Sequence, residues 1–241
     1  MVQIPNSVLR ILRPMNYFRF LLWRVKIFQI SYYSRISNRG LYQTGQKGLF
    51  LDCGSNVGQG FEFFRKYYPT KMYDYILFEP NPFCFQELLK KYASLNSSGV
   101  RIENTAVGIA NGDIDFFGLD EEKGGKYSVG GSILQQHNSK IYTTPNNASF
   151  KVTSIDFAIF LQDMLMKNQY STVIMKLDIE GGEYPVLDSL ISKNLLARFE
   201  TIYVEFHSQY MSNDIAEHYR SKEKEFLKYS KKNQIRVIQW I

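Results

Sequence analysis

Along most of this chain, short apolar runs alternate with segments of helical spacing. Leu49–Leu51 and Tyr75–Phe78 are continuous apolar runs that predict buried strands. Each leads through polar or Gly-containing residues into an expected helix, the first over Val57–Tyr68 and ended by Pro69, the second over Phe83–Tyr92. Strands that alternate with helices in this way predict a parallel sheet with right-handed crossovers.

The alternation continues to the C-terminal end. Val100–Ile102, running on into Thr105–Val107, is expected to form a third strand, and Gly112–Phe117 an added antiparallel strand. Ser154 is expected to cap a helix that reaches Lys167. The remaining elements are predicted as a strand at Thr172–Leu177, a helix at Glu183–Leu195, a strand at Thr201–Glu205, a helix at Ile215–Lys232 and a strand at Ile235–Trp240. The whole pattern indicates an α/β fold with a doubly wound, mostly parallel sheet.

A long loop is expected between the antiparallel strand and the helix capped by Ser154. Gly118–Ser149 is rich in Gly, Ser and Asn, and long connections in compact domains often serve as lids or binding loops. Tyr127, Tyr142 and Gly130–Ser132 are candidates to line an acceptor pocket, with an ordinary solvated loop as the alternative.

Charge separates the first part of the chain from the rest. Eight of the 29 Lys and Arg residues precede Asp52, and no acidic residue does, so 21 basic and 23 acidic residues remain for the rest of the chain. We therefore expect a basic helical extension at residues 1–45 and a catalytic domain at residues 46–241. Because the domain itself is slightly acidic, we expect no nucleic acid partner.

The extension is also apolar. A helix over Phe18–Tyr32 places five apolar side chains on one face: Phe18, Leu21, Leu22, Val25 and Phe28. This face could lie on an anionic membrane surface, contact a glycosyltransferase partner, or pack on its own domain. Since charged residues interrupt the segment, we expect neither secretion nor a membrane crossing, and a cytoplasmic protein that is at most peripheral to a membrane.

Candidate chemistry begins at the turn that follows the first strand, Asp52–Gly60. Its spacing is neither GxGxxG nor GxxxxGK[ST], which argues against a dinucleotide site and a P-loop. Asp52 places a carboxylate where phosphates would otherwise bind, so a cationic ligand such as S-adenosylmethionine fits the turn better. Glu79 closes the second strand and can accept hydrogen bonds from both ribose hydroxyls. The alternative interpretation is a Gly-rich turn that binds no ligand.

Four segments in order resemble the FkbM family of methyltransferases: Leu51–Gly58, Phe78–Pro82, Ala106–Gly108 and Lys176–Glu183. The resemblance extends from about Leu49 to His207. It implies a class I (Rossmann-like) methyltransferase fold, S-adenosylmethionine as cofactor, and O-methylation, often of sugar hydroxyls. By position it implies the following cofactor-binding residues: Asp52, Gly54, Ser55, Asn56, Gly58, Glu79, Asn81, Asn104 and Ala106.

Acidic residues and a histidine are expected at neighbouring strand ends, and they are the candidate catalytic residues: Asp178, Glu180, Glu205 and His207. The resemblance implies that Asp178 faces the transferable methyl group. A carboxylate or His207 could remove the proton of an acceptor hydroxyl, and His207 has the ordinary pKa best suited to this near neutrality. The same four residues could instead hold Mg²⁺ or Mn²⁺. Glu183 is expected either to cap a helix or to take part in catalysis.

The function expected from the sequence is an S-adenosylmethionine-dependent O-methyltransferase that acts on a sugar hydroxyl of a glycan or glycoconjugate. One alternative is a catalytically silent module that binds the cofactor and is recruited through the basic extension. A second alternative, an RNA methyltransferase, ranks low because the sequence lacks the Asn-Pro-Pro-aromatic tetrad of base N-methyltransferases.

Overall fold

A computed structural model describes residues 14–117, 131–135, 149–211 and 213–240. The strands in these ranges are β1 (Gly48–Cys53), β2 (Tyr73–Phe78), β3 (Val100–Glu103), β4 (Ala106–Gly108), β5 (Gly112–Phe117), β6 (Ser149–Asp156), β7 (Thr172–Leu177), β8 (Thr201–Val204) and β9 (Arg236–Gln239). The α-helices are α1 (Pro14–Thr44), α2 (Gln59–Phe64), α3 (Pro82–Tyr92), α4 (Phe157–Lys167), α5 (Glu183–Ser192) and α6 (Asn213–Lys232). Short 3₁₀ helices cover Ala93–Ser98, Leu196–Arg198 and Ser208–Tyr210.

The main sheet has the strand order β3-β2-β1-β7-β8-β9, and every pair of neighbours in it is parallel. The α/β fold with a doubly wound parallel sheet is thereby confirmed. The chain winds outward from β1 in one direction and then from β7 in the other, so the order reverses between these two strands. A crevice for ligands forms at the carboxyl ends of strands at such a reversal.

The two faces of the sheet bury different side chains. Leu49, Leu51 and Cys53 of β1 belong to a largely aliphatic cluster, because alternate residues of a strand point to the same face. Phe50 points the other way into a cluster rich in aromatic rings, where it lies 4.8 Å from the ring of Tyr75 between centroids. Both faces are therefore covered, as a parallel sheet requires.

The third strand predicted from the sequence is in fact two strands in two sheets. β3 ends at Glu103 in the main sheet, and β4 begins at Ala106 in a three-stranded sheet of order β4-β6-β5. The antiparallel arrangement expected for Gly112–Phe117 is present, since β5 pairs with β6. Ser154 lies inside β6 and caps no helix. Asp156 caps α4 instead, because its carboxylate accepts hydrogen bonds from the first free backbone amides of that helix.

The other boundaries lie within about three residues of the sequence predictions, except that α2 stops at Phe64, ahead of the expected Tyr68. β9 runs parallel to β8 and has no antiparallel partner among the described residues.

α1 joins the extension to the domain. Its second half packs on the aromatic face, with Ile30 and Leu41 fully buried, and the Ser37 hydroxyl donates to Glu200 at 2.6 Å. Asn38 donates to the backbone oxygen of Tyr67 at 2.8 Å. This half of the predicted extension therefore belongs to the core. In the part of the chain that the structure describes, no helix has the length and apolar character needed to span a bilayer.

Candidate functional site

A cleft opens at the carboxyl ends of β1, β2 and β7, where the strand order reverses. Seven of the residues that the sequence predicts for the site line it: Gly54, Asn56, Glu79, Asn81, Ala106, Asp178 and Glu180. Asp52, Ser55, Gly58, Asn104, Glu205 and His207 lie outside this lining. The loop residues Gly131 and Ile133 also contribute to the lining. Gly130, Tyr127 and Tyr142 lie outside the described residues.

Gly54 forms the first turn of the cleft, for a reason that the sequence does not reveal. Its φ is +82°, and a Cβ atom there would come within 1.8 Å of the backbone oxygen of Asp178. Glycine is therefore required because β1 and β7 end close together. Glycine is also required at position 58, since a Cβ atom there would overlap the ring of Tyr92. The Ser55 hydroxyl donates to the backbone oxygen of Asp52 at 2.9 Å and steadies the turn.

Glu79 closes β2 and is 5% exposed. Its two carboxylate oxygens accept backbone hydrogen bonds from Asn56 at 2.7 Å and from Asn81 at 2.8 Å, so it ties two turns of the cleft together. Burial raises the pKa of Glu79 to about 7, although these two hydrogen bonds oppose the shift. Each oxygen keeps a further lone pair for a ligand hydroxyl.

The side chains of Asn81 and Asn104 hold the backbone around Glu79 in place. Asn81 accepts a hydrogen bond from the backbone amide of Phe83 at 2.9 Å and caps α3. Asn104 donates its side-chain amide to the backbone oxygens of Glu79 and Pro80, at 2.8 and 3.1 Å. The side chain of Asn104 therefore holds the turn after β2, and the adjoining Thr105 and Ala106 supply the wall of the cleft.

Lys176 is a residue of the site to which the sequence analysis gave no role. It is buried in β7, and its ammonium group donates to the backbone oxygen of Gly54 at 2.7 Å. It also pairs with Asp178 Oδ2 at 3.1 Å and Asp52 Oδ1 at 3.4 Å. Burial opposes its charge, but the two carboxylates outweigh burial and raise the pKa of Lys176. A lysine inside an apolar strand is itself a sequence signal, because buried lysines need partners.

The position of Asp52 corrects the role expected for it. Its carboxylate is fully buried below the turn, beside Lys176 and Gly60, and does not line the cleft. Burial raises the pKa of Asp52, and Lys176 opposes that rise. Direct contact of Asp52 with a cationic ligand does not fit this arrangement, because a lysine already occupies the space beside it.

Four acidic residues of the site surround the imidazole of His207. Its Nδ1 lies 3.0 Å from Glu183, and its Nε2 lies 3.3 Å from Glu180, 3.8 Å from Asp178 and 3.9 Å from Glu205. Burial alone would lower its pKa, but the surrounding carboxylates, Glu183 first, raise the pKa of His207 to about 10. The imidazole is therefore a cation at neutral pH. This corrects the expectation, based on its ordinary pKa, that His207 suits the role of a general base.

Glu183 is completely buried at the start of α5. Its carboxylate accepts hydrogen bonds from the backbone amides of Ile179 and Gly181, at 2.8 and 2.9 Å, in addition to its contact with His207. Neither amide belongs to α5, whose N-terminus has no side-chain cap, so the capping role that the sequence offered as one of two interpretations is not observed. Through these contacts, Glu183 fixes both the loop that carries Glu180 and the orientation of the imidazole.

Glu205 follows β8 and keeps about a quarter of its side chain exposed. Burial, followed by the negative charge of Asp178, raises its pKa to about 7, while His207 opposes the shift. This carboxyl group can therefore take up or release a proton near neutral pH, as a general base or acid must.

Comparison with known proteins places these features in a wider context. A family model described as the methyltransferase FkbM domain matches residues 52–228. The crystal structure of methyltransferase FkbM from Methylobacillus flagellatus resembles the chain with a TM-score of 0.42 and 12% sequence identity. The match covers 74% of this chain and 37% of that chain, so this chain spans little more than a third of that protein. No curated protein matches the chain.

Proposed function

This chain belongs to the FkbM methyltransferase family, and on that premise we propose that it uses S-adenosylmethionine to methylate a hydroxyl group of a sugar in a glycan or glycoconjugate. Membership of the family makes the chain a methyltransferase. The finer proposal depends on one observation. A single cleft carries the buried carboxylate of Glu79 on the β2 side of Gly54 and the carboxylates of Asp178 and Glu180 on the β7 side.

The β2 side of the cleft fits the adenosine part of the cofactor. Glu79 has lone pairs left for two ribose hydroxyls, and its position is rigid because Asn56 and Asn81 hold it. Ala106 and Val107 offer an apolar wall for a base. When bound, S-adenosylmethionine supplies a methyl group activated by its sulfonium centre.

The ends of the neighbouring strands β7 and β8 supply the groups that would bind and deprotonate an acceptor hydroxyl. We assign proton removal to Glu205, because its pKa of about 7 suits a general base near neutrality. Asp178 and Glu180 would accept hydrogen bonds from neighbouring hydroxyls of the sugar and orient it. His207, as a cation, keeps these carboxylates close together, and Lys176 does the same for Asp178.

The charge of this side supports a sugar acceptor over a nucleic acid. Asp178, Glu180 and Glu205 meet around one imidazole, and their carboxylates offer no hydrogen-bond donor to the phosphates of a polynucleotide. Sugar hydroxyls are neutral hydrogen-bond donors, which carboxylate oxygens accept well.

A divalent metal is the second candidate for this side. Ligand atoms of Asp178, Glu180 and His207 all lie within 4.8 Å of one another, and Mg²⁺ or Mn²⁺ bound there could acidify the acceptor hydroxyl. Without a metal, Lys176 and protonated His207 accompany the carboxylates, and binding of a metal would require the imidazole to lose its proton. Activity that survives exhaustive treatment with EDTA would support the metal-free site, and activity restored only by Mg²⁺ or Mn²⁺ would support the metal.

The proposal is tested by transfer of a labelled methyl group from S-adenosylmethionine to a panel of glycans. We expect label in the glycan fraction, and a loss of about 100-fold or more in Glu205→Gln, the usual effect of removing a general base. Calorimetry should show that this variant still binds the demethylated cofactor. Glu225→Gln, on the exposed side of α6, is the matched control and should retain full activity.

Each part of the proposal has its own contrary outcome. Full activity of Glu205→Gln would refute the assignment of the base. No heat with either form of the cofactor would refute the cofactor. Cofactor binding without transfer to any acceptor would favour the silent binding module.

A further inference from the structure

The first half of α1 exposes an unusual amount of apolar surface. Between residues 20 and 28, six apolar side chains each remain 42–70% exposed: Phe20, Leu21, Leu22, Trp23, Val25 and Phe28. Phe20 and Trp23 stack with their ring centroids 6.2 Å apart. Single exposed apolar residues are common on proteins, but a contiguous group of this kind marks an interaction surface.

This group lies next to the catalytic edge of the sheet. Ser37 contacts Glu200 just before β8. Eleven residues earlier in the helix, Lys26 interacts electrostatically with Glu205, just after β8: burial lowers the pKa of Lys26, and Glu205 opposes that shift. Eleven helical residues rise about 16 Å. The five residues from Glu200 to Glu205 rise by about the same distance in a strand. α1 therefore runs antiparallel to β8, and the residues before Lys26 extend beyond the carboxyl ends of the strands.

The charge of the segment indicates which surface it meets. Arg24 is exposed among the apolar side chains and lies 5.9 Å from the ring centroid of Phe20. No acidic residue precedes Asp52 in the chain. Aromatic rings and basic side chains on one helix are the combination that binds at the headgroup level of an anionic bilayer. With Arg24 and Lys26 among its apolar side chains, the helix would lie within the interface.

We propose that the Pro14–Gln29 half of α1 docks the catalytic edge of the domain on an anionic lipid surface. About 16 residues of the helix precede Ile30, the first buried position among residues 20–44, which gives this half a length of about 24 Å. Docking orients the opening of the cleft towards the lipid. It depends on α1 alone and not on the identity of the acceptor.

The test uses the full chain with vesicles of phosphatidylcholine and with vesicles that also contain phosphatidylglycerol. We expect flotation with the anionic vesicles only, weakened by added salt. The combined variant Phe20→Ser/Trp23→Ser/Phe28→Ser should lower the partition coefficient on the order of tenfold or more, since it removes three large apolar groups. Tyr42→Ser is the matched control, because Tyr42 is 85% exposed on the same helix at the end packed on the domain. It should bind as the unmodified chain does.

Fluorescence gives an independent readout. The chain has two tryptophans, so Trp240→Phe leaves Trp23 as the sole reporter, and its emission should shift to the blue with anionic vesicles. Absence of flotation by the unmodified chain would overturn the proposal, as would undiminished flotation of the combined variant. A dimer seen by sedimentation that dissociates in the combined variant, without any vesicle binding, would overturn it in favour of a second copy of the chain. Circular dichroism of each variant establishes that it is folded.

Discussion

Replacing Lys176 with Met removes the cation that accompanies the buried carboxylate of Asp52. Lys176 lies 3.4 Å from Asp52 and 2.7 Å from the backbone oxygen of Gly54, and both ionic side chains are almost inaccessible to water. Met fills a similar volume without a charge. Asp178 also loses its partner, but its side chain is 22% exposed and keeps contact with water. The effect of the change is therefore concentrated on Asp52.

The magnitude follows from the protonation of Asp52. Without Lys176 the buried carboxylate should take up a proton. Holding it neutral at pH 7 costs up to about 4 kcal/mol, because the ordinary pKa of 3.8 lies about three units lower and each unit is worth about 1.36 kcal/mol. Part of this cost is already present in the unmodified chain, where burial raises the pKa of Asp52 in spite of Lys176, so the loss on replacement is smaller than this limit. The limit agrees with the usual loss of about 3–5 kcal/mol when one partner of a buried pair is removed. A carboxyl group whose folded-state pKa is raised binds more protons in the native state, so the cost should fall to about 2 kcal/mol at pH 5.

Urea denaturation at the two pH values, followed by circular dichroism, measures the change in the free energy of unfolding. The combined variant Asp52→Asn/Lys176→Met removes both charges and should recover most of the loss, since it leaves no buried carboxyl group to protonate. Lys193→Met is the matched control. Its pair with Asp156 is closer to the surface, with Lys193 39% exposed, and we expect a loss of about 1 kcal/mol or less.

Two results would refute this reasoning. One is a loss of less than about 1 kcal/mol in Lys176→Met at pH 7, which would mean that Asp52 does not need the cation. The other is an undiminished loss in the combined variant, which would trace the destabilisation to packing around Met and not to the charge of Asp52.

Three further predictions concern the cleft. Glu79→Gln should weaken binding of the demethylated cofactor by about 1–3 kcal/mol in calorimetry, because an amide cannot accept all of the hydrogen bonds of the carboxylate, and unchanged affinity would contradict its role. The raised pKa of His207 means that its contribution to stability is present below pH 6.5 and is lost as the pH rises towards about 10. In His207→Gln, the melting temperature should therefore change less with pH between these two values. An identical slope of melting temperature against pH would argue against a cationic imidazole. Gly54→Ala should destabilise the fold by more than about 2 kcal/mol in urea, because its Cβ would overlap the backbone of Asp178. Gly40→Ala, in the last turns of α1 with open space around it, should be neutral or stabilising; equal effects would contradict the packing argument.

The sequence by itself determined the fold class and the edge where the site lies. Apolar runs such as Tyr75–Phe78 are long enough for strands and are bounded by turn residues, so local pattern was sufficient to predict them. Because parallel strands share one carboxyl edge, the acidic residues that follow them, Glu79 and Asp178 among them, could be assigned to one crevice before any coordinates were known.

Tertiary structure alone decided where the third predicted strand divides, since Ala106–Gly108 leaves the main sheet and pairs with Ser154–Asp156, far along the chain. It also decided the charge states of the site. The burial of Asp52 with Lys176, and the raised pKa of His207, depend on side chains far apart in the chain that are brought within about 4 Å by the sheet. Electrostatic energies depend on the distance between charges and on the exclusion of water, and neither can be read from the sequence without the folded structure.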